Sequence, residues 1–186
     1  MKITVYNVKG WAGKTPIATN IILDREYALA TNEPFHILDQ IVPKETLLTV
    51  PIHEPFPDIP DDIDIVFDLA WSISQDARSI TSALTQSDVI IIPIYNELKC
   101  IIAGLHTILE VNNFNKNIIV IATKLTKQRA DKGSDWTKFT DFTNIQRFVH
   151  NKIDRGIPVL PLKFSKAFDL LFEKEKSLEW LRQKTP

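Results

Sequence analysis

Seven residues near the start of the chain, Lys9-Gly10-Trp11-Ala12-Gly13-Lys14-Thr15, have the types and spacing to hold a phosphate. A lysine ammonium followed by a hydroxyl, directly after a glycine, can meet the β- and γ-phosphates of a nucleoside triphosphate and the Mg²⁺ that accompanies them. Backbone N–H groups of such a loop, and of the helix that leaves it, face the anion, and the helix dipole favours the same sign of charge. Pro16 falls in the first turn of that helix, where a missing N–H costs little. The common spacing G-x-x-x-x-G-K-[ST] is not met, because Val8 stands six positions before Lys14. The match is to the variant K-G-G-x-G-K-[ST], which a lysine leads, with Trp11 in place of the second glycine.

Such a loop needs a strand leading in and a helix leading out. Lys2-Ile3-Thr4-Val5-Tyr6 alternates and is rich in β formers, whereas Ile17, Ala18, Ile21 and Ile22 recur at helical spacing. Glu26 to Thr31 reads as a second strand, closed by Asn32-Glu33-Pro34. Asp64-Ile65-Val66-Phe67-Asp68 is a near-continuous apolar run ending in a carboxylate, the pattern of a parallel strand buried on both faces. Asp68 then sits at the carboxyl end of its strand, where open α/β sheets bind ligands.

Val89–Pro93, Asn117–Thr123 and Ile157–Pro161 read as further strands, and Phe35–Leu38 and Thr46–Val50 as brief ones. Helices are predicted over Ser72–Leu84, around Gly104-Leu105, over 139–153 and over 166–183. Phe139, Phe142, Ile145, Phe148, Val149 and Ile153 share one helical face and read as core. Pro51, Pro55, Pro57 and Pro60 predict an irregular, rigid surface loop over 51–62, and 126–136 reads as a loop with a helix cap. Strands alternating with helices predict one α/β three-layer domain over 1–186, with a mostly parallel twisted sheet.

The 186 residues suffice for a substantial core. No run is long enough to span a membrane, and no signal-peptide pattern is expected at the N-terminus. The lone Cys100 cannot form an internal disulfide, and the four histidines show no metal-ligand spacing. The net charge of −1 is unevenly spread, about −8 over residues 1–113 and +7 over 114–186, which hints at a polyanion-facing side.

The lysine-headed loop resembles the deviant Walker A box of the ParA/MinD ATPases, which place proteins, plasmids and chromosomes in bacterial cells. The block from Asp64 through Leu109 is similar to that family's middle section in order. Its parts are a Walker B strand, a helix, an "A-D-x-V-x-I-P" strand and a helix with a Gly-Leu step. The resemblance implies a P-loop NTPase fold and ATP with Mg²⁺ as cofactors. It also implies a homodimer on ATP, in which Lys9 reaches the partner's nucleotide. By the same resemblance Asp68 holds a water of the Mg²⁺ shell and Glu33 orients the attacking water, with Thr31 and Glu33 standing where the family has two aspartates. Thr123 and Lys124 stand where it has an adenine-reading Asn.

The resemblance further implies a cytoplasmic, nucleoid-associated protein that partitions DNA with a ParB-like adaptor and binds DNA non-specifically. The basic candidates for that contact are Lys163, Lys166, Arg182 and Lys184. The terminal helix also reads as a plain sheet-covering helix or as a membrane-surface helix anchored by Trp180 and Leu181, without stable insertion. Trp11, Thr31 and Glu33 leave open a hydrolysis-deficient nucleotide- or DNA-binding accessory protein, and a MinD-like spatial regulator is the other alternative.

Overall fold

A computed structural model describes residues 1–33, 38–70 and 77–163. The elements run β1 (Lys2–Val5), α1 (Lys14–Arg25), β2 (Ala28–Thr31), β3 (Leu47–Thr49), β4 (Ile65–Asp68) and α2 (Arg78–Gln86). They continue β5 (Val89–Tyr95), α3 (Leu98–Val111), β6 (Ile118–Leu125), α4 (Thr140–Lys152) and β7 (Val159–Lys163). The seven strands form one sheet in the order β3-β2-β4-β1-β5-β6-β7, and every pairing is parallel. This is the three-layer α/β architecture expected from the alternation of strands and helices.

The order reverses at β1. The chain leaves β1 through α1 towards β2 and β3, returns to β4, and then crosses by α2 to β5 on the other side. Diverging connections open a crevice at the carboxyl end of such a strand, so the loop after β1 lies where the topology makes room for a ligand.

Side-chain alternation along the strands divides the core in two. Ile3, Val5, Leu29 and Val66 pack with Ile17, Ala18 and Ile22 of α1. Ile65, Phe67, Ile90, Ile92, Ile94, Ile118 and Val120 pack with the inner faces of α2, α3 and α4. Burial on both sides is why the central strands read as unbroken apolar runs. In α4, Phe142, Ile145 and Val149 are buried, as is Phe139 just before it, so the aromatic stripe is core.

The proline-rich stretch 51–62 has no strand or helix and is fastened to α2. Phe56 N–H donates to Ser82 Oγ, Ile59 N–H donates to Gln86 Oε1, and the Phe56 ring meets Phe67 edge-on at 5.1 Å. One expectation fails. Leu38 lies in a 3₁₀ turn rather than a strand, because its carbonyl accepts from the N–H groups of Ile41 and Val42 and the chain curls there. Residues 35–37 of that expected strand, 72–76 of the expected second helix, and the whole helix expected over 166–183 lie outside the described residues.

Candidate functional site

The loop from β1 to α1 is held at its stem by two buried polar side chains. Asn7 donates through Nδ2 to the Pro93 carbonyl (2.7 Å) and accepts through Oδ1 from the Lys9 N–H (2.8 Å). Thr107 of α3 accepts from the Val8 N–H (3.2 Å) and donates to the Ala103 carbonyl (2.8 Å). Lys9 and Gly10 are half-buried, and Ala12 is buried. Gly13, at φ +97°, takes the left-handed conformation that glycine tolerates, and it caps α1 with no side-chain acceptor. No acidic residue lies in the first turn of α1, so no carboxylate competes there for its free N–H groups.

Trp11 also sits in the left-handed region, at φ +66°, and is 87% exposed. Its indole points into solvent and does not plug the loop. A left-handed L-residue costs about 1–2 kcal/mol, partly offset by the extra freedom glycine gains in the unfolded chain. Trp11→Gly is therefore expected to stabilise the protein by roughly 0.5–1 kcal/mol, a melting-temperature rise of about 1–4 °C for a chain of this size. Calorimetry checks this, and a lower melting temperature would show that the indole makes stabilising contacts.

Two acidic residues approach the loop from neighbouring strands. Asp68 is in register with Val5 of β1 and Thr31 of β2, at the carboxyl ends of three adjacent strands. It is wholly buried, and neither carboxylate oxygen has a hydrogen-bond partner among the described residues. Burial pushes its pKa up to about 7. The Thr15 hydroxyl, which favours the anion without completing a hydrogen bond to either oxygen, and the Lys14 ammonium pull the other way, while Glu33 pushes it further up. Lys14 is itself 6% exposed; burial lowers its pKa against the opposing influence of Asp68 and Glu33. Lys14, Thr15, Asp68 and Glu33 thus share one electrostatic environment.

Glu33 is half-buried and follows Thr31, whose buried hydroxyl accepts the Glu33 N–H (3.1 Å). Asn32 between them is buried, donating to Ser79 Oγ (2.8 Å) and accepting from the Ala70 N–H (2.6 Å). It ties the end of β2 to α2 and to the segment after Asp68.

A carboxyl whose folded-state pKa lies above its ordinary value near 4 stabilises the fold below that ordinary value. The contribution is lost as pH rises through about 7, because the folded state then binds the proton more tightly than the unfolded chain. Its size is at most about 4 kcal/mol. Without Mg²⁺, Asp68→Asn should flatten the fall in melting temperature between pH 5 and 8 and melt several degrees above the parent at pH 8. Parallel melting curves for the two proteins would refute the assignment.

Two residues that the sequence offered for another purpose complete the loop's surroundings. At the end of β6 the buried Thr123 hydroxyl donates to the Ala12 carbonyl (3.1 Å), and Lys124 Nζ donates to the Trp11 carbonyl (2.7 Å). Lys124 also lies 4.6 Å from the centre of the Tyr95 ring, whose hydroxyl donates to Glu97 (2.6 Å).

Lys163 is exposed at the end of β7, at the same carboxyl edge of the sheet as the loop. Lys166, Arg182 and Lys184 lie outside the described residues. Among the described residues no group of three or more His, Cys, Asp or Glu side chains could hold a metal unaided, and no helix is long and apolar enough to cross a membrane.

No protein-family model and no curated protein matches the sequence. The architecture does match solved structures over nearly its whole length. Apo McdA from Cyanothece superimposes with a TM-score of 0.69 at 12% identity, covering 98% of this chain and 93% of that one. The septum site-determining protein MinD from Pyrococcus horikoshii, complexed with Mg-ADP, gives 0.66 at 13% identity, covering 98% and 89%. A ParA family ATPase from Chlorobium tepidum gives 0.61 at 16% identity, covering 99% and 93%. The fold is that of the ParA/MinD ATPases. Identities this low carry the ParA/MinD architecture and leave the chemistry to the residues themselves.

Sequence reasoning passed over Asn7, Asn32 and Thr107 as site-building residues. Asn7 and Asn32 left one signal each, a side chain with both donor and acceptor directly after an apolar strand, where it can bridge two backbone segments.

Proposed function

We propose that the chain is a single-domain, Mg²⁺-dependent ATPase of the ParA/MinD type, over residues 1–186, that dimerises on ATP and positions DNA. One observation carries the reading: at a glycine-capped helix terminus on the sheet's switch point, a buried lysine and a buried carboxylate without a hydrogen-bond partner influence each other electrostatically. A structure isolates charges in this way at a cost, which a ligand of matching charge offsets.

In this reading the N–H groups from Gly10 to Thr15 cradle the phosphates, with Pro16 opening the helix without a competing N–H. Lys14 meets the β- and γ-oxygens. The orphaned Asp68 carboxylate and the Thr15 hydroxyl suit a hydrated Mg²⁺, with Asp68 acting through a water. The ion supplies neutralisation of phosphate charge. Asp68 loses its proton to take that role, so nucleotide binding with Mg²⁺ strengthens as pH rises towards 7. Glu33 orients the attacking water and Lys9 completes the partner's site. Phosphoryl transfer rests largely on positioning and charge, so hydrolysis is slow until a partner improves the geometry. Lys163, with Lys166, Arg182 and Lys184, contacts DNA phosphates without sequence preference, and a ParB-like adaptor supplies the cargo. The setting is the cytoplasm, at the nucleoid.

A second reading has specific support. A glutamate reaches further than the aspartate it replaces and places its carboxylate differently, and Thr31, whose hydroxyl accepts the Glu33 N–H, brings no carboxylate at all. A protein that binds nucleotide without hydrolysing it would follow.

Size-exclusion chromatography with ATP, with ADP and with neither, combined with phosphate release, separates the two. A dimer with ATP alone and slow phosphate release supports the ATPase. A nucleotide-dependent shift with no phosphate supports the second reading. A folded protein that responds to neither nucleotide ends both.

A further inference from the structure

We propose that Thr123 and Lys124 are positioning residues that preset the peptide planes of the phosphate loop and do not read the nucleotide base; this rests on the phosphate-binding reading above. In a trans peptide the carbonyl of one residue and the N–H of the next point in opposite directions. Lys124 holds the Trp11 carbonyl and Thr123 holds the Ala12 carbonyl, so two successive carbonyls are turned towards β6. The N–H groups of Ala12 and Gly13 are thereby turned away from it. A carbonyl rotated into the cradle would set an oxygen dipole against phosphate oxygens, and the two tethers prevent that rotation. Donors fixed in advance cost no reorganisation when the anion arrives.

The end of β6 is deformed to make this grip. The ladder to β7 runs Val120↔Val159, Ile121↔Leu160, Ala122↔Pro161 and then resumes at Leu125↔Lys163. Three steps on β6 therefore oppose two on β7, which is one extra residue. Such bulges re-aim side chains beside functional sites. Lys124 stands in the left-handed region at φ +52°, which a lysine adopts only when its surroundings over-determine it. Here they do: its ammonium is fixed by the Trp11 carbonyl and lies against the Tyr95 ring, itself anchored to Glu97. Thr123 is 3% exposed and spends its hydroxyl proton on the Ala12 carbonyl, as Lys124 spends an ammonium N–H on that of Trp11, so both side chains are engaged with the loop.

The test is equilibrium binding of Mg-ATP, Mg-GTP and inorganic tripolyphosphate to the full chain and its variants. Lys124→Met should weaken all three by the same factor, about tenfold for one charge-assisted hydrogen bond, and leave the ATP:GTP ratio unchanged. Thr123→Val should act in the same direction, with Lys124→Arg and Thr123→Ser restoring most of the affinity. Lys124 is on the surface, so its variants fold; if Thr123→Val does not, the two Lys124 variants decide alone. A changed ATP:GTP ratio with tripolyphosphate untouched would make these residues base readers and overturn the proposal, as would unaltered binding in Lys124→Met. A folded wild-type protein that binds none of the three probes removes the phosphate-binding reading itself.

Discussion

Lys14→Ala is expected to lower affinity for Mg-ATP by roughly 100-fold or more. Hydrogen bonds to charged groups contribute about 1.5–3 kcal/mol each, and in the function proposed above Lys14 makes two of them, to the β- and γ-oxygens. No other lysine or arginine side chain among the described residues is buried at the loop, so nothing nearby substitutes for it. The fold should survive. Burial already opposes the charge on Lys14, so alanine removes a desolvated ammonium along with its contacts. The variant should accordingly melt within a few degrees of the parent without nucleotide while losing the stabilisation that Mg-ATP confers. Calorimetric titration beside melting curves reads both quantities. Retained affinity in Lys14→Ala would place the nucleotide elsewhere on the molecule.

The second large effect lies at a helix–strand contact behind the site. A Cβ on Gly104 of α3 would stand 2.3 Å from Cδ1 and 2.6 Å from Cγ1 of Ile94, a fully buried residue of β5. Neither atom can retreat without disturbing the core, so α3 must lift or Ile94 must leave its rotamer. Overpacking of this kind costs about 1–3 kcal/mol. Gly104→Ala recovers up to about 1 kcal/mol of helix propensity and should lose little more than 1 kcal/mol. Gly104→Val recovers less of that propensity and adds two methyl groups to the clash, so it should lose about 3 kcal/mol, lowering the melting temperature by roughly 6–12 °C. The damage should also reach the site, because Thr107, three residues on, accepts the Val8 N–H at the loop's stem. Nucleotide affinity should fall with stability, and Ile94→Val should recover part of both in the Gly104→Ala protein. A Gly104→Val protein as stable as the parent would mean that α3 can move away at no cost.

The parts of this molecule that were legible in the sequence are those whose signal is local. The loop and Asp68 are each read from a handful of consecutive residues, and the stripe from Phe139 to Ile153 from its period. The loop's tethers were not legible as tethers. Thr107 and Lys124 meet it across about a hundred residues of sequence, and nothing around position 124 announces a left-handed lysine. Leu38 misled because a short apolar run reads as a strand whether or not its carbonyl is claimed by the next turn. Trp11 was legible only as a departure from glycine, because residue volume is visible in a sequence and side-chain direction is not.

The two outer strands of the sheet limit how copies of this chain can meet. β3 is three residues long, and β7 carries Pro161, which has no N–H to offer, and ends in Lys163. Short, proline-bearing or charged margins deny an incoming strand a continuous ladder, which protects against lateral fusion of sheets into fibrils. Among the described residues, then, neither margin of the sheet offers a template for strand-to-strand growth.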